Sequence, residues 1–109
     1  MREITIAFDV DGTILKNGSI HDCELNLDVI KLMEILSRKM KNTRVIVWSG
    51  GGRDYAETIV RKYGLTRYVD RCYGKHEYEE ELDGGRVDIA FDDQHEFAMA
   101  DKNIIVRMK

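Results

Sequence analysis

The chain has 109 residues, is 43% hydrophobic and 34% charged, and carries a formal net charge of −3 from 17 basic and 20 acidic side chains. This length predicts a single domain over 1–109 with a buried core. The sequence has no apolar run of membrane-spanning length, no basic stripe for strong non-specific nucleic-acid binding and no disulfide framework. We therefore expect a cytoplasmic protein without membrane contacts, and the first residues favour a strand over a signal peptide.

The predicted elements alternate between strands and helices along the chain. A buried strand over 3–9 precedes a small flap hairpin over 14–21, because Asn17-Gly18 is a strong signal for a type I′ turn. The following elements are a helix over 24–41, a strand over 43–48, a helix over 53–63 ended by Gly64, a short strand over 69–73, a helical turn within 76–82 and strands over 87–91 and 103–107. This alternation predicts an α/β fold: a mainly parallel, doubly wound, Rossmann-like sheet with helices on both faces, in three layers.

Polar residues follow the strands at the points where they end. In strand order they are Asp9 and Asp11; Ser49, Gly50 and Arg53; Lys75; and Asp92 and Asp93. In a parallel sheet these positions gather at one edge, where ligands bind. Clustered carboxylates suit Mg²⁺, a hydroxyl and backbone N–H groups at a helix N-terminus suit a phosphate, and a lysine adds positive charge. The set predicts phosphoryl transfer, with one aspartate as nucleophile and another handling protons.

Four segments, in this order, resemble the motifs of the haloacid dehalogenase-like superfamily of phosphotransferases. The segment "FDVDGT" (8–13) resembles the first motif, hhhDxDGT, and "VIVWSG" (45–50) resembles the second, an apolar strand ending in Ser or Thr. Lys75 is similar to the third motif, and "IAFDD" (89–93) to the acidic fourth. The likeness extends over most of the chain and is specific because the four motifs occur in order.

The resemblance implies a role for each of these residues. Asp9 would be the nucleophile that forms an aspartyl-phosphate, and Asp11 the general acid for the leaving alcohol and then the base for water. Mg²⁺ would be held by Asp9, the backbone carbonyl of Asp11, and Asp93, with Asp92 bound directly or through water. The remaining implied roles are phosphoryl binding by Ser49 and the Gly50 N–H, support of nucleophile and phosphate by Lys75, and orientation of the loop by Thr13. In this family an aspartate at position 11 points to a phosphatase, or less often a phosphomutase, rather than a dehalogenase or a pump ATPase.

Some positions depart from the family pattern and leave alternatives open. Lys75 precedes His76, where the family often has proline, so a surface lysine is the alternative. Ser49 could be a helix cap, and Asp92 and Asp93 could cap the next short helix. The spacing of Arg53 differs from that of the arginine in some nucleic-acid-end phosphatases, which leaves a substrate contact and an ordinary first-turn residue equally open.

The chain leaves no room for the cap domain that this family inserts after the first or third strand. The resemblance thus implies a capless phosphatase with an open site, suited to a nucleotide, a nucleic-acid end, a phosphoprotein or a sugar phosphate. A neighbouring subunit that closes the site in a homo-oligomer is the alternative.

A catalytically silent phosphate-binding module, or a phospho-accepting regulatory domain, is the competing function. The second of these needs its acceptor at the end of a middle strand, where this chain has Ser49.

Overall fold

The computed structural model describes residues 3–16, 24–77, 87–93 and 100–107. Its elements are β1 (Ile4–Asp9), α1 (Leu27–Lys39), β2 (Thr43–Ser49), α2 (Arg53–Lys62), a 3₁₀ turn (Thr66–Tyr68), β3 (Arg71–Gly74), β4 (Ile89–Asp92) and β5 (Lys102–Ile105). The five strands form one sheet in the order β3-β2-β1-β4-β5, and every pairing is parallel. This confirms the prediction of an α/β domain with a parallel sheet.

The strand order reverses beside β1. From β1 the chain steps outward to β2 and then to β3, and it returns to the opposite side of β1 to form β4. Asp9 is the last residue of β1, and Asp92 is the last residue of β4. The carboxyl ends of β1 and β4 therefore flank a topological switch point, the usual place for a ligand site in an open α/β sheet.

The two faces of the sheet bury alternate side chains of the central strands. Phe8 and Val47 point to the first face, where they pack in one cluster with Met33 of α1 and Ile59 of α2. The second face buries a separate cluster, comprising Ala7, Ile46, Trp48, Tyr73, Val87 and Ala90. Both described helices pack on the first face. The predicted three-layer arrangement, with helices on both faces of a haloacid dehalogenase-like core, therefore stays a prediction.

Local signals explain where the helices begin and end. Asn26 caps α1 by accepting a hydrogen bond from the Val29 N–H at 3.4 Å, which starts the helix later than the predicted residue 24. At the end of α2, Gly64 adopts φ +67°. The Gly64 N–H donates to the Arg61 carbonyl at 3.2 Å, and the Leu65 N–H donates to the Val60 carbonyl at 2.8 Å. This paired arrangement is a Schellman motif and confirms Gly64 as the residue that ends the helix.

At the end of the sheet opposite the switch point, Asp70 precedes β3 and Asp88 precedes β4. Each aspartate accepts a backbone N–H from the neighbouring strand. The Asp88 carboxylate accepts the Thr5 N–H at 2.8 Å, and the Asp70 carboxylate accepts the Val45 N–H at 2.8 Å. The strand β4 begins at residue 89, directly after Asp88, and not at the predicted residue 87.

Part of the predicted flap lies within the described residues. Leu15 forms an isolated antiparallel bridge with Leu25, and the Lys16 N–H donates to the Glu24 carbonyl at 2.8 Å. The Asn17-Gly18 turn, most of the predicted turn within 76–82 and the segment after Asp93 lie outside the described residues. None of the described helices is long and apolar enough to span a membrane.

Candidate active site

Three charged side chains are buried together at the switch point. Asp9 is 5% exposed, Asp92 4% and Lys75 8%. Charges this deeply buried require close partners, because desolvation strongly penalises an isolated ion. The Lys75 Nζ lies 2.9 Å from Asp9 Oδ1 and 2.6 Å from Asp92 Oδ2, so one ammonium bridges the ends of β1 and β4.

The position of Lys75 follows from the sheet register. Gly74, the last residue of β3, pairs with Ser49, the last residue of β2. The Lys75 N–H then donates to the Ser49 carbonyl at 2.9 Å, which fixes the backbone of Lys75 at the edge of the sheet. Lys75 is therefore not a surface lysine, and its side chain lies where the sequence predicts.

Asp93 completes an acidic cluster with Asp9 and Asp92. One carboxylate oxygen from each of the three lies within 4.8 Å of the other two. Gly12 makes this approach possible: it adopts φ +81°, and a Cβ there would lie 2.1 Å from Asp93 Oδ2. Gly12 thus brings the first loop and the fourth strand end together.

The donors in this cluster fit a hard divalent cation. When all three carboxylates are ionised they carry −3 and the Lys75 ammonium carries +1, which leaves −2 for a dication to neutralise. Oxygen donors are the ligands that Mg²⁺ prefers, usually one or two carboxylates together with waters and substrate phosphate. Asp9, Asp92 and Asp93 therefore form a set of oxygen donors suited to a divalent cation.

The ionisation of the cluster reflects its burial. Desolvation raises the pKa of Asp9 from 3.8 to about 7, although hydrogen bonding and charge attraction from Lys75 oppose this and the charges of Asp92 and Asp93 add to it. Desolvation, and then the hydrogen bond and charge of Asp92, also raise the pKa of Asp93. Desolvation lowers the pKa of Lys75, but its two carboxylate partners outweigh that effect and raise the pKa overall. Without a metal, neutral pH therefore leaves Asp9 partly protonated.

The side chain of Asp11 lies outside the acidic cluster. Its Oδ1 accepts a hydrogen bond of 2.6 Å from the hydroxyl of Tyr55, which is on α2. Asp11 is therefore not among the carboxylates whose side chains could hold a metal ion together. Thr13 is fully buried, and its hydroxyl donates to Asp9 Oδ2 at 3.4 Å, so the predicted loop residue contacts the predicted nucleophile.

The loop between β2 and α2 is held by Ser49. The Ser49 hydroxyl accepts the Gly51 N–H at 3.0 Å, and its carbonyl accepts the Gly52 N–H at 3.2 Å. Gly52 adopts φ +106° and precedes the first residue of α2. Ser49 therefore organises the turn at a helix N-terminus, while its hydroxyl proton remains available to an anion. Gly50 is exposed on the same turn.

Arg53 is the first residue of α2. Its guanidinium lies over the Tyr73 ring, 5.9 Å from the centroid. This cation–π contact places the guanidinium against β3. His76, which follows Lys75 in the sequence, is exposed.

Sequence reasoning missed the contact made by Tyr55. The helical spacing of Tyr55 predicts a core or interface residue, and its side chain does pack against the core of the first face. Its hydroxyl also contacts Asp11, a predicted catalytic residue. The only available signal was its position in the first turn of the helix that follows the predicted phosphate-binding glycines.

No protein-family model, no curated protein and no solved structure matches this chain. The chemistry of the residues at the switch point must therefore carry any functional conclusion.

Proposed function

We propose that the protein is a Mg²⁺-dependent phosphomonoesterase, a capless hydrolase of the haloacid dehalogenase-like type that works through an aspartyl-phosphate. The observation that carries this proposal is the buried Asp9, bridged to Asp92 by Lys75 and adjacent to Asp93, with Asp11 held apart. A carboxylate nucleophile, a positive charge and a separate acid at a strand end are the groups that phosphoryl transfer needs.

In the first step the Asp9 carboxylate attacks the phosphorus of the substrate. A bond forms between an Asp9 oxygen and phosphorus, and the bond from phosphorus to the leaving oxygen breaks. Asp11 donates a proton to that oxygen, so the alcohol leaves neutral. Lys75 opposes the negative charge on Asp9 and the phosphoryl group, and the Ser49 hydroxyl and the Gly50 N–H hold phosphoryl oxygens at the N-terminus of α2.

In the second step water attacks the aspartyl-phosphate. Asp11, now deprotonated, removes a proton from the water, and the bond between phosphorus and the Asp9 oxygen breaks. Inorganic phosphate leaves, and both carboxyl groups return to their starting states. The same Asp11 therefore serves as acid and then as base.

The residues that would hold Mg²⁺ are Asp9, Asp92 and Asp93, together with the backbone carbonyl of Asp11. When bound, the cation neutralises charge on the phosphoryl oxygens and allows the anionic substrate to approach a cluster of carboxylates. An open, capless site of the kind that the sequence predicts would suit a phosphorylated small molecule or macromolecular end as substrate, or a homo-oligomer in which a second subunit closes the site.

Phosphate release from a panel of phosphomonoesters tests the proposal. The panel contains p-nitrophenyl phosphate, nucleotides, sugar phosphates, a phosphopeptide and 3′- and 5′-phosphorylated oligonucleotides, each with Mg²⁺ and with EDTA. We expect release with Mg²⁺ only, and none from Asp9→Asn. Asp88→Asn is the matched control, because it changes another buried aspartate but keeps an oxygen for the Thr5 N–H.

Two outcomes would contradict the proposal. Release that survives in Asp9→Asn would exclude Asp9 as nucleophile. Absence of release from a folded protein that binds Mg²⁺ would instead favour the catalytically silent phosphate-binding or phospho-accepting module.

A further inference from the structure

Tyr55 connects the two loops that carry the predicted acid and the predicted phosphate cradle. Its hydroxyl lies 2.6 Å from Asp11 Oδ1. Its ring lies beside Gly51, where an added Cβ would come within 3.3 Å of Tyr55 Cδ2. The side chain therefore contacts the loop after β1 through its hydroxyl, and its ring lies beside the loop after β2.

We propose that Tyr55 is a positioning residue for Asp11, which fixes one carboxyl oxygen so that the other transfers the proton. This inference rests on the proposed function. Tyr55 donates to Oδ1, so Oδ2 is the atom left to give its proton to the leaving oxygen and to recover one from water. The chemistry assigned to Asp11 then takes place at one oxygen.

The location of Asp11 explains why such a partner is needed. Asp11 is two residues from Asp9, and the adjacent Gly12 has a left-handed backbone conformation in contact with Asp93. A carboxylate in this loop could rotate toward the cation site and be lost as an acid. The short hydrogen bond to α2, a rigid element, holds it away from that site.

A positioning role predicts a dependence on the leaving group. Protonation matters greatly when the leaving group is a weakly acidic alcohol and little when it is a stable anion such as 2,4-dinitrophenolate. A merely structural role would reduce the rates with both kinds of substrate alike. The ratio of the two rates therefore separates the two roles.

The experiment measures kcat/KM of Tyr55→Phe for the best alkyl phosphate of the panel and for 2,4-dinitrophenyl phosphate. This parameter covers the steps up to transfer of the phosphoryl group to Asp9. We expect a loss of about 10- to 100-fold for the alkyl ester, the effect of one hydrogen bond to a charged group, and less than about twofold for the dinitrophenyl ester. Tyr63→Phe is the control, since it removes a hydroxyl from the residue that caps the other end of α2.

A double-mutant cycle tests whether Tyr55 acts through Asp11. In an Asp11→Asn background, Tyr55→Phe should change kcat/KM for the alkyl ester by less than about twofold, because the acid is already absent. Asp11→Asn alone should show the same selective loss. Equal losses on the two esters in Asp11→Asn would leave Tyr55 no acid to position and would overturn the inference even if Tyr55→Phe does not fold.

Equal losses on both esters, or independent effects of the two substitutions, would overturn the role of Tyr55 while leaving the phosphatase intact. A wild-type protein that hydrolyses neither ester would overturn the proposed function, and the role of Tyr55 with it.

Discussion

The Lys75 ammonium lies 2.9 Å from the Asp9 carboxylate and only 2.6 Å from that of Asp92, so the shorter contact is not with the predicted nucleophile. Lys75 therefore balances the charge of two strand ends at once. It opposes the repulsion between carboxylates that the chain has buried in the same place.

Lys75→Met should impair both stability and catalysis. Removing one partner from a buried ion pair costs about 3 to 5 kcal/mol, because the remaining charges are left uncompensated. We expect phosphate release to fall by at least about 100-fold, since the phosphoryl transition state loses a positive charge. Urea unfolding and initial rates measure the two effects.

The exposed Lys31 on α1 provides the control, and Lys31→Met should change neither quantity. Mg²⁺ should raise the melting temperature of Lys75→Met more than that of the wild type, because the cation replaces part of the missing charge. Equal shifts in the two proteins would argue against a shared electrostatic role.

The raised pKa of Asp9 predicts how stability depends on pH without metal. The pKa is about 7 in the folded protein and 3.8 for the unperturbed group, so between these values the folded state binds more protons than the unfolded state. The free energy of unfolding must therefore fall as pH rises from 4 to 7, by up to about 4 kcal/mol from this group.

Urea unfolding in EDTA at pH 5 and pH 8 measures this dependence. In Asp9→Asn the decrease should be smaller, and the remainder should reflect Asp93, whose pKa is also raised. Stability that rises with pH in the wild type would contradict the burial of a protonated Asp9. Excess Mg²⁺ should remove most of the decrease, because bound cation favours the ionised carboxylates.

Much of the fold could be predicted because its signals are local. The run of β-branched and apolar residues at 43–48 predicts β2, which ends one residue later, at Ser49. The DxD segment follows the first apolar run, and β1 ends at the first of its aspartates, Asp9. Once the strands are parallel, their carboxyl ends share an edge, and the polar residues there form the site. The bridge made by Lys75 follows from that register, although nothing local distinguishes this lysine from a surface one.

What could not be predicted depends on contacts between distant segments. Tyr55 and Asp11 are 44 positions apart, and their hydrogen bond depends on how α2 packs beside the first loop. The sequence predicts that Asp88 lies inside a strand. In the structure Asp88 precedes β4, and its carboxylate accepts the Thr5 N–H. Each of these roles is set by three-dimensional packing, which periodicity does not encode.

Gly12→Ala should weaken metal binding. The new Cβ would lie 2.1 Å from Asp93 Oδ2, so the carboxylate must move away from Asp9 and Asp92. We expect the dissociation constant for Mg²⁺ to rise at least about tenfold, as for other losses of support around a metal ligand. Calorimetric titration of wild type and variant with Mg²⁺ gives the comparison.

Gly64→Ala is a closely matched control, because Gly64 also has a positive φ, of +67°, but has open space where its Cβ would be. Both substitutions cost about 1 to 2 kcal/mol of backbone strain. Only Gly12→Ala should alter Mg²⁺ affinity. An equal loss of affinity in both would assign the effect to strain instead of to the displacement of Asp93.

Ser49→Ala should reduce catalysis more than stability. The hydroxyl accepts the Gly51 N–H at 3.0 Å and keeps a proton to donate to a phosphoryl oxygen, so its loss affects both the shape of the loop and the binding of the anion. A hydrogen bond to a charged group contributes about 1.5 to 3 kcal/mol, which corresponds to a loss of about 10- to 100-fold in kcat/KM.

Ser49→Thr keeps the hydroxyl and should recover most of the activity, whereas Ser37→Ala removes a hydroxyl bonded within α1 and should leave the rate unchanged. If Ser49→Ala and Ser49→Thr lost activity equally, the effect would come from the volume of the side chain in a buried position, and the hydroxyl would have no part in binding phosphate.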